Sequence, residues 1–291
     1  DIASSGIGKC YRNRRKVFFD YGGKEEMNNQ RKINPIVYFA GSGPGDPDLI
    51  TVKAKNLLSQ ADTIVYSGSL LNPKLLDYAK RTANLYDAAL IDRVKIFDIL
   101  KDSSRLGELV LRLHDGDPSI YGAIKEQIDK LQAEGITCKV IPGVTSLLGA
   151  AASMNMELTL PGNTQTIIIT RAELRTPVPE REKISDLASH GSTMAFYLSI
   201  HLMKEIIREL LKGGAYCLET PAAVVYRATW EDEVIITGNL GDIEGKTRNA
   251  RITKTALFIV GNVVRPMNYE FSRVYDPGFS HGYRKAANQS K

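Results

Sequence analysis

The chain has 291 residues, of which 43% are hydrophobic and 24% charged, which is ordinary for a globular protein of one large or two average domains. No apolar run reaches the roughly 18 residues of a membrane helix, and the N-terminus has no apolar stretch of signal-peptide type, so the sequence predicts a cytoplasmic protein. Three cysteines and four histidines are scattered without CxxC or HExxH spacing, which argues against a disulfide framework and a protein-bound metal.

The net charge of +5 is concentrated at the two ends of the chain. Residues 1–34 have eight basic and four acidic side chains, and residues 265–291 have five basic and two acidic ones. The body between them is therefore slightly acidic, with a net charge of −2. Because a nucleic-acid-binding protein presents a basic surface, this distribution argues against RNA or DNA as the substrate.

Strands and helices are predicted to alternate from residue 35 onward. Apolar runs predict strands at 36–40, 63–67, 108–113, 137–143, 164–170, 192–199, 222–229 and 255–261. Such alternation is typical of α/β proteins, in which helices cover the faces of a sheet. A Pro-Gly break near residue 143 predicts two α/β domains, 35–143 and 144–264, with the ligand cleft between them.

Helices are predicted where apolar residues recur with a period of 3.6. The positions that share a predicted face are Ala54, Leu57, Leu58 and Ala61; Ile120, Ile124, Ile128 and Leu131; and Leu202, Ile206, Ile207, Leu210 and Leu211. A further helix of small residues is predicted at 145–155. The weakly patterned segment 1–34 is predicted to be an N-terminal extension, disordered or foreign to the protein, and 265–291 a C-terminal tail.

The first strand is followed by "AGSGPGDPDLIT", residues 40–51. A Walker loop requires a Lys after its last glycine, and a dinucleotide loop requires GxGxxG; neither pattern fits, and Asp46 would repel a phosphate. A plain Gly/Pro turn between strand and helix stays open as an alternative.

Two further strand-to-helix turns have a similar chemistry. In "LHDGDPSIYGAI" (113–124), Gly116 permits close approach of the backbone to a ligand, and Asp117 can accept hydrogen bonds from hydroxyls or cap a helix. In "IPGVTSLLGAAA" (141–152), Thr145 and Ser146 are either ligand hydroxyls or helix caps. Two acidic turns predict a ligand that is neutral or cationic there, such as a ribose or a sulfonium.

These three motifs and "VVYRATWEDE" (224–233), in this order, resemble the tetrapyrrole methyltransferases, which use S-adenosylmethionine to methylate cobalamin and sirohaem precursors. The resemblance covers about residues 35–264. Within the family, "TRAELRTPVPE" (170–180) and the tail "YDPGFSHGYR" (275–284) are most similar to the precorrin-4 and cobalt-precorrin-4 C11-methyltransferases. Ser67 stands where the uroporphyrinogen methyltransferases have an Asp, which argues against that activity.

The resemblance implies an α/β fold of two domains, S-adenosylmethionine as cofactor, a homodimer, and methyl transfer to C11 of precorrin-4 or its cobalt form in cobalamin biosynthesis. Methylation of precorrin-2 or precorrin-3, methylation of RNA or protein by the same fold, and a non-catalytic tetrapyrrole carrier stay open as alternatives. By position in the motifs, the implied cofactor contacts are Pro44, Asp115, Gly116, Asp117, Ile120, Thr145, Ser146, Leu198, Ala228, Ala256 and Leu257.

A tetrapyrrole substrate has many carboxylates, which arginine binds best through its two-pronged guanidinium. The predicted substrate-binding residues are Arg171, Arg175, Arg227 and Arg112. No catalytic residue is assigned, and the candidates are Arg171, Glu173 and Asp46.

Overall fold

The computed structural model describes residues 34–173 and 176–286. The predicted extension therefore lies outside the described residues except for Asn34. Two five-stranded sheets follow one another along the described chain. Among the described residues, no helix combines the length and apolar character needed to cross a membrane.

The first sheet is entirely parallel, with the strand order β3-β2-β4-β1-β5. Its strands are β1 (Ile36–Gly41), β2 (Thr63–Tyr66), β3 (Asn84–Asp87), β4 (Val110–His114) and β5 (Thr137–Ile141). The helices that connect them are α1 (Val52–Gln60), α2 (Arg93–Arg105) and α3 (Ile124–Ala133). Because all five strands are parallel, the motifs that follow β1, β4 and β5 meet at one edge of the sheet.

The second sheet is mixed, with the order β6-β7-β10-β8-β9; only β6 and β7 are parallel. Its strands are β6 (Ile167–Thr170), β7 (Thr193–Phe196), β8 (Pro221–Tyr226), β9 (Val234–Asn239) and β10 (Ala256–Val260). The accompanying helices are α4 (Ser146–Ser153), α5 (Ile184–Ala188), α6 (Met203–Lys212) and α7 (Ile243–Asn249). Since β10 runs antiparallel to β7 and β8, its first residues lie beside their last ones.

Each sheet is covered by apolar packing on both faces, which explains why its central strands are nearly continuous apolar runs. In the first sheet, Leu111 packs with α1 on one face and Phe39 packs with α2 and α3 on the other. In the second, Phe258 packs with α5, α6 and α7, and Ile259 packs with α4. The two faces of each central strand are fully buried, so the strand positions are fixed by the core.

The predicted α/β fold is confirmed, and each predicted strand has a counterpart, generally with shorter bounds. The prediction of a helix that includes Ile120 was wrong. Tyr121 and Ala123 have φ of +56° and +49°, outside the right-handed helical region, so α3 begins only at Ile124. The pattern also missed β3, β9, α2, α5 and α7. The domain boundaries at 143 and 264 stay predictions.

Candidate active site

A cavity of about 530 Å³ is lined by residues from the edges of both sheets. Its first wall comes from the turns after β1, β2, β4 and β5. Its second wall comes from the ends of β7 and β8 and the start of β10. Every residue implied by the resemblance as a cofactor contact borders this one cavity: Pro44, Asp115, Gly116, Asp117, Ile120, Thr145, Ser146, Leu198, Ala228, Ala256 and Leu257.

Three glycines let the turns of the first wall meet closely. Gly116 has φ of +56°, and its carbonyl points between Gly41 and Gly143. A Cβ added to Gly143 would overlap the Gly116 carbonyl oxygen and lie 2.8 Å from the Gly41 Cα. The three motifs are therefore in backbone contact, which only glycine permits at these positions.

Asp117 braces two of these motifs rather than standing free. Its Oδ1 accepts a hydrogen bond from the Ser119 amide at 2.8 Å, and its Oδ2 accepts one from the Gly143 amide at 2.8 Å. The first bond stabilises the turn after β4, and the second ties that turn to the one after β5. The carboxylate thus holds backbone, while its residue also borders the cavity.

Tyr197 caps the N-terminus of α4, a role that the sequence left open for Thr145. The Tyr197 Oη accepts a hydrogen bond from the Leu147 amide at 3.0 Å and shares another with the Thr145 Oγ1 at 2.8 Å. Thr145 occupies the N-cap position of α4 but makes no side-chain bond to the helix backbone. Its hydroxyl is therefore oriented by a residue 52 positions away, which local sequence cannot reveal.

Asp46 serves the loop and does not border the cavity. Its Oδ1 accepts a hydrogen bond from the Asp48 amide at 2.9 Å and caps the short 3₁₀ turn that follows. Its own amide donates to the Thr229 Oγ1 at 3.0 Å. These contacts support a role for Asp46 in holding the loop, and its candidacy as a catalytic residue stays a prediction.

Three ionisable groups lie at the end of β4: the buried Arg112 and His114, and Asp115, which follows the strand. Burial lowers the pKa of His114 to about 3, assisted by the nearby charge of Arg112, and burial lowers the pKa of Arg112 to about 10. Burial also raises the pKa of Asp115, which borders the cavity. A cationic ligand beside Asp115 would offset that cost and favour its ionised form.

His114 is expected to make the protein lose stability as pH falls. An unfolded His titrates near 6.5, whereas His114 stays neutral in the fold until about pH 3, so the unfolded state binds the extra proton first. The contribution of neutral His114 to the free energy of unfolding is fully present above pH 6.5 and declines below it. Between pH 7.5 and pH 5, this one group should cost about 2 kcal/mol. Urea unfolding at both values should show that loss reduced in His114→Phe, and an equal loss in both proteins would contradict it.

The four predicted substrate arginines lie in different surroundings. Arg227 borders the cavity. Arg112 is buried, and its Nη1 donates to the carbonyls of Val65 and Leu113, so it supports the sheet edge and does not border the cavity. Arg175 lies outside the described residues.

Arg171 organises the loop that contains it. Its guanidinium donates to the carbonyls of Ala172, Thr176 and Pro177, at 3.4, 2.9 and 3.0 Å. With Glu173 it borders a second cavity of about 330 Å³, not the main one. Burial raises the pKa of Tyr121, which borders the main cavity, and the charge of Arg171 opposes that rise.

Comparison with known proteins decides the family. A family model described as tetrapyrrole (corrin/porphyrin) methylases matches residues 36–244. The chain belongs to this family. The match covers the first sheet and four of the five strands of the second, and it ends in α7, before β10.

Two relatives of this chain are named for methylation at the same ring position, C11. The cobalt-precorrin-4 C(11)-methyltransferase of Methanocaldococcus jannaschii is 52% identical over 260 residues, covering 89% of this chain and 98% of the relative. The precorrin-4 C(11)-methyltransferase of Pseudomonas aeruginosa is 43% identical over 249 residues, covering 85% and 98%.

Two solved structures share the fold. The X-ray structure of a cobalt precorrin-4 methyltransferase has a TM-score of 0.78 and 43% identity, covering 80% of this chain and 97% of that one. The uroporphyrin-III C-methyltransferase of Thermus thermophilus, complexed with S-adenosylhomocysteine, has a TM-score of 0.67 and 29% identity, covering 79% and 98%.

Sequence reasoning missed several residues that shape the cavity of this tetrapyrrole methylase. Tyr121 and Thr255 border it and have positive φ although neither is glycine, and the predicted contacts Leu198 and Arg227 share this conformation. Such backbone strain concentrates at functional sites. No local pattern marks these positions, because ordinary residues adopt this conformation only when the surrounding structure enforces it.

Proposed function

We propose that the chain is an S-adenosylmethionine-dependent methyltransferase that methylates C11 of precorrin-4 or cobalt-precorrin-4 in cobalamin biosynthesis. The observation that supports this best is the 52% identity, over nearly the whole relative, to a cobalt-precorrin-4 C(11)-methyltransferase. The cavity agrees, since every residue implied as a cofactor contact borders it.

The cavity suits the proposed cofactor in size and chemistry. Its volume of about 530 Å³ lies within the usual range for small-molecule sites. Ile120, Leu198 and Leu257 offer an apolar wall for a purine, and Asp115 and Asp117 place carboxyls where a ribose or a sulfonium can be recognised. S-adenosylmethionine would supply an activated methyl group whose leaving group is a neutral thioether.

The residues of the chain contribute mainly by alignment. Because a neutral leaving group needs little acid catalysis, holding the acceptor carbon in line with the methyl group supplies much of the rate. The Gly41, Gly116 and Gly143 contact makes the first wall rigid, and the apolar side chains of the second wall exclude water. No side chain is assigned as the proton-removing base.

We further propose that the polycarboxylate substrate binds at the mouth of the cavity. Arg227 borders the cavity, and the charge of Arg171 opposes the rise that burial causes in the pKa of Tyr121, another residue of the cavity. Arg175, four residues after Arg171 in the sequence, stays a predicted substrate contact. The homodimer that the family implies and the cytoplasmic location that the sequence predicts are part of this proposal, and light scattering of the purified chain tests the former.

The proposed function is tested by binding and by product structure. Calorimetry with S-adenosylhomocysteine should show one site per chain. Incubation with S-adenosylmethionine and cobalt-precorrin-4 should give a product that NMR shows to be methylated at C11. Failure to bind S-adenosylhomocysteine would refute the methyltransferase proposal, whereas methylation at another ring position would refute only the C11 assignment.

A further inference from the structure

Trp230, the one tryptophan of the sequence, joins the two walls of the cavity. Its indole Nε1–H donates to the Pro44 carbonyl at 3.1 Å. A Cβ added to Gly45 would overlap the Trp230 Cδ1, so the ring lies directly against the loop after β1. On the other wall, the Arg227 guanidinium carbon is 4.6 Å from the centre of the Trp230 ring. The indole is therefore in contact with both a predicted cofactor contact and a predicted substrate contact.

The turn that presents Trp230 is fixed by its own hydrogen bonds. The Trp230 amide donates to the Arg227 carbonyl at 3.0 Å. The Glu233 Oε2 accepts from the Thr229 amide at 2.5 Å and from the Ser153 Oγ of α4 at 2.6 Å. Arg227 and Thr229 have φ of +48° and +67°, a conformation that these contacts must hold in place. These hydrogen bonds thus hold the turn in the conformation that places the indole ring.

The loop after β1 depends on this turn for its position. The Pro44 carbonyl bonds to Trp230, and the Asp46 amide bonds to the Thr229 Oγ1. The Gly45 carbonyl between them accepts from the Asn72 Nδ2 at 2.8 Å. Three consecutive loop residues, 44–46, are therefore each held by a side chain. The side chains that hold the first and the third come from the second half of the chain.

We propose that Trp230 is a positioning residue whose indole N–H sets the Pro44 loop at the cofactor end of the cavity. Because the same ring stacks on Arg227, the position of the cofactor wall is coupled to that of a substrate-binding side chain. This inference rests on the proposed function. It predicts that removing only the N–H weakens cofactor binding without unfolding the protein.

The single tryptophan permits a test that changes one atom group. Biosynthetic replacement with β-(3-benzothienyl)alanine removes the N–H and keeps a ring of nearly the same shape, whereas 5-fluorotryptophan keeps the N–H. Calorimetry should show the dissociation constant for S-adenosylhomocysteine raised about fivefold in the benzothienyl protein, the size expected for one neutral hydrogen bond. The fluorotryptophan protein should stay within about twofold of the unmodified one.

Two readings separate positioning from a merely structural role. The melting temperature of the benzothienyl protein should lie within about 4 °C of that of the fluorotryptophan protein, since one lost hydrogen bond costs about 1 kcal/mol. The single ¹⁹F resonance of the fluorotryptophan protein should shift on saturation with S-adenosylhomocysteine. Equal affinity in the two substituted proteins, or an unshifted resonance, would overturn the assignment. Absence of binding by the unmodified protein would instead refute the proposed function.

Discussion

Gly143→Ala is expected to abolish measurable binding of S-adenosylhomocysteine and to lower the free energy of unfolding by about 3 kcal/mol, at the upper end for overpacking. The added methyl group would overlap the Gly116 carbonyl oxygen and approach the Gly41 Cα to 2.8 Å. Both neighbours are backbone atoms, which cannot rotate aside as the end of a side chain can. The turn after β5 would have to move away from the turns after β1 and β4. That movement would displace Thr145, which follows Gly143 by two residues.

The measurement is urea unfolding without ligand, followed by calorimetry with S-adenosylhomocysteine. Gly245→Ala is the matched control, because Gly245 lies inside α7 and a Cβ there would meet no atom within 4 Å. Alanine in a helix interior should be neutral or stabilise by up to about 1 kcal/mol. Normal binding by Gly143→Ala would show that the three-glycine contact does not determine the cavity.

The cavity could be predicted from sequence to the extent that it is built from strand ends. Adjacent parallel strands bring their following turns together, so the motifs containing Pro44, Gly116 and Thr145 had to converge once the β1, β4 and β5 runs were recognised. Composition also indicates the turns, since Gly, Pro and Asp are concentrated there. These are local signals, and local reasoning could use them.

The contacts that fix those turns could not be predicted from the sequence. Tyr197 caps α4 from 50 residues away, and Trp230 reaches Pro44 across 186 residues. Either ring, seen alone, fits an apolar core position equally well. The strand β3 was missed for a different reason: its first two residues, Asn84 and Leu85, are exposed, so it lacks the apolar run that marks a buried strand.

Arg171 illustrates a third limit, in which residue type suggests one partner and the fold supplies another. An arginine in the phrase "TRAELRTPVPE" suggests a carboxylate ligand, yet its guanidinium donates to three carbonyls of its own loop. Residue chemistry defines which bonds are available, and the fold determines which of them are used. These bonds make Arg171 a support of its own loop, and its contact with substrate stays a prediction.

Asp117→Ala is expected to lower the free energy of unfolding by about 2 kcal/mol even in the absence of ligand, because two backbone amides lose an acceptor. The carboxylate accepts from both Ser119 and Gly143, each at 2.8 Å. Loosening the second bond frees the turn after β5, so binding of S-adenosylhomocysteine should weaken at least tenfold, equivalent to about 1.4 kcal/mol. Urea unfolding without ligand and calorimetry with it measure the two effects separately.

Asp115→Asn is the matched control, since Asp115 borders the same cavity two residues earlier. Burial raises the pKa of Asp115, so its ionised form is disfavoured by the fold at neutral pH and a neutral side chain should not lower stability. If Asp117 only contacted ligand hydroxyls, Asp117→Ala would lose affinity and keep full stability without ligand. A loss of ligand-free stability in Asp117→Ala but not in Asp115→Asn would therefore establish Asp117 as the brace between two motifs, acting on the ligand through the backbone that it holds.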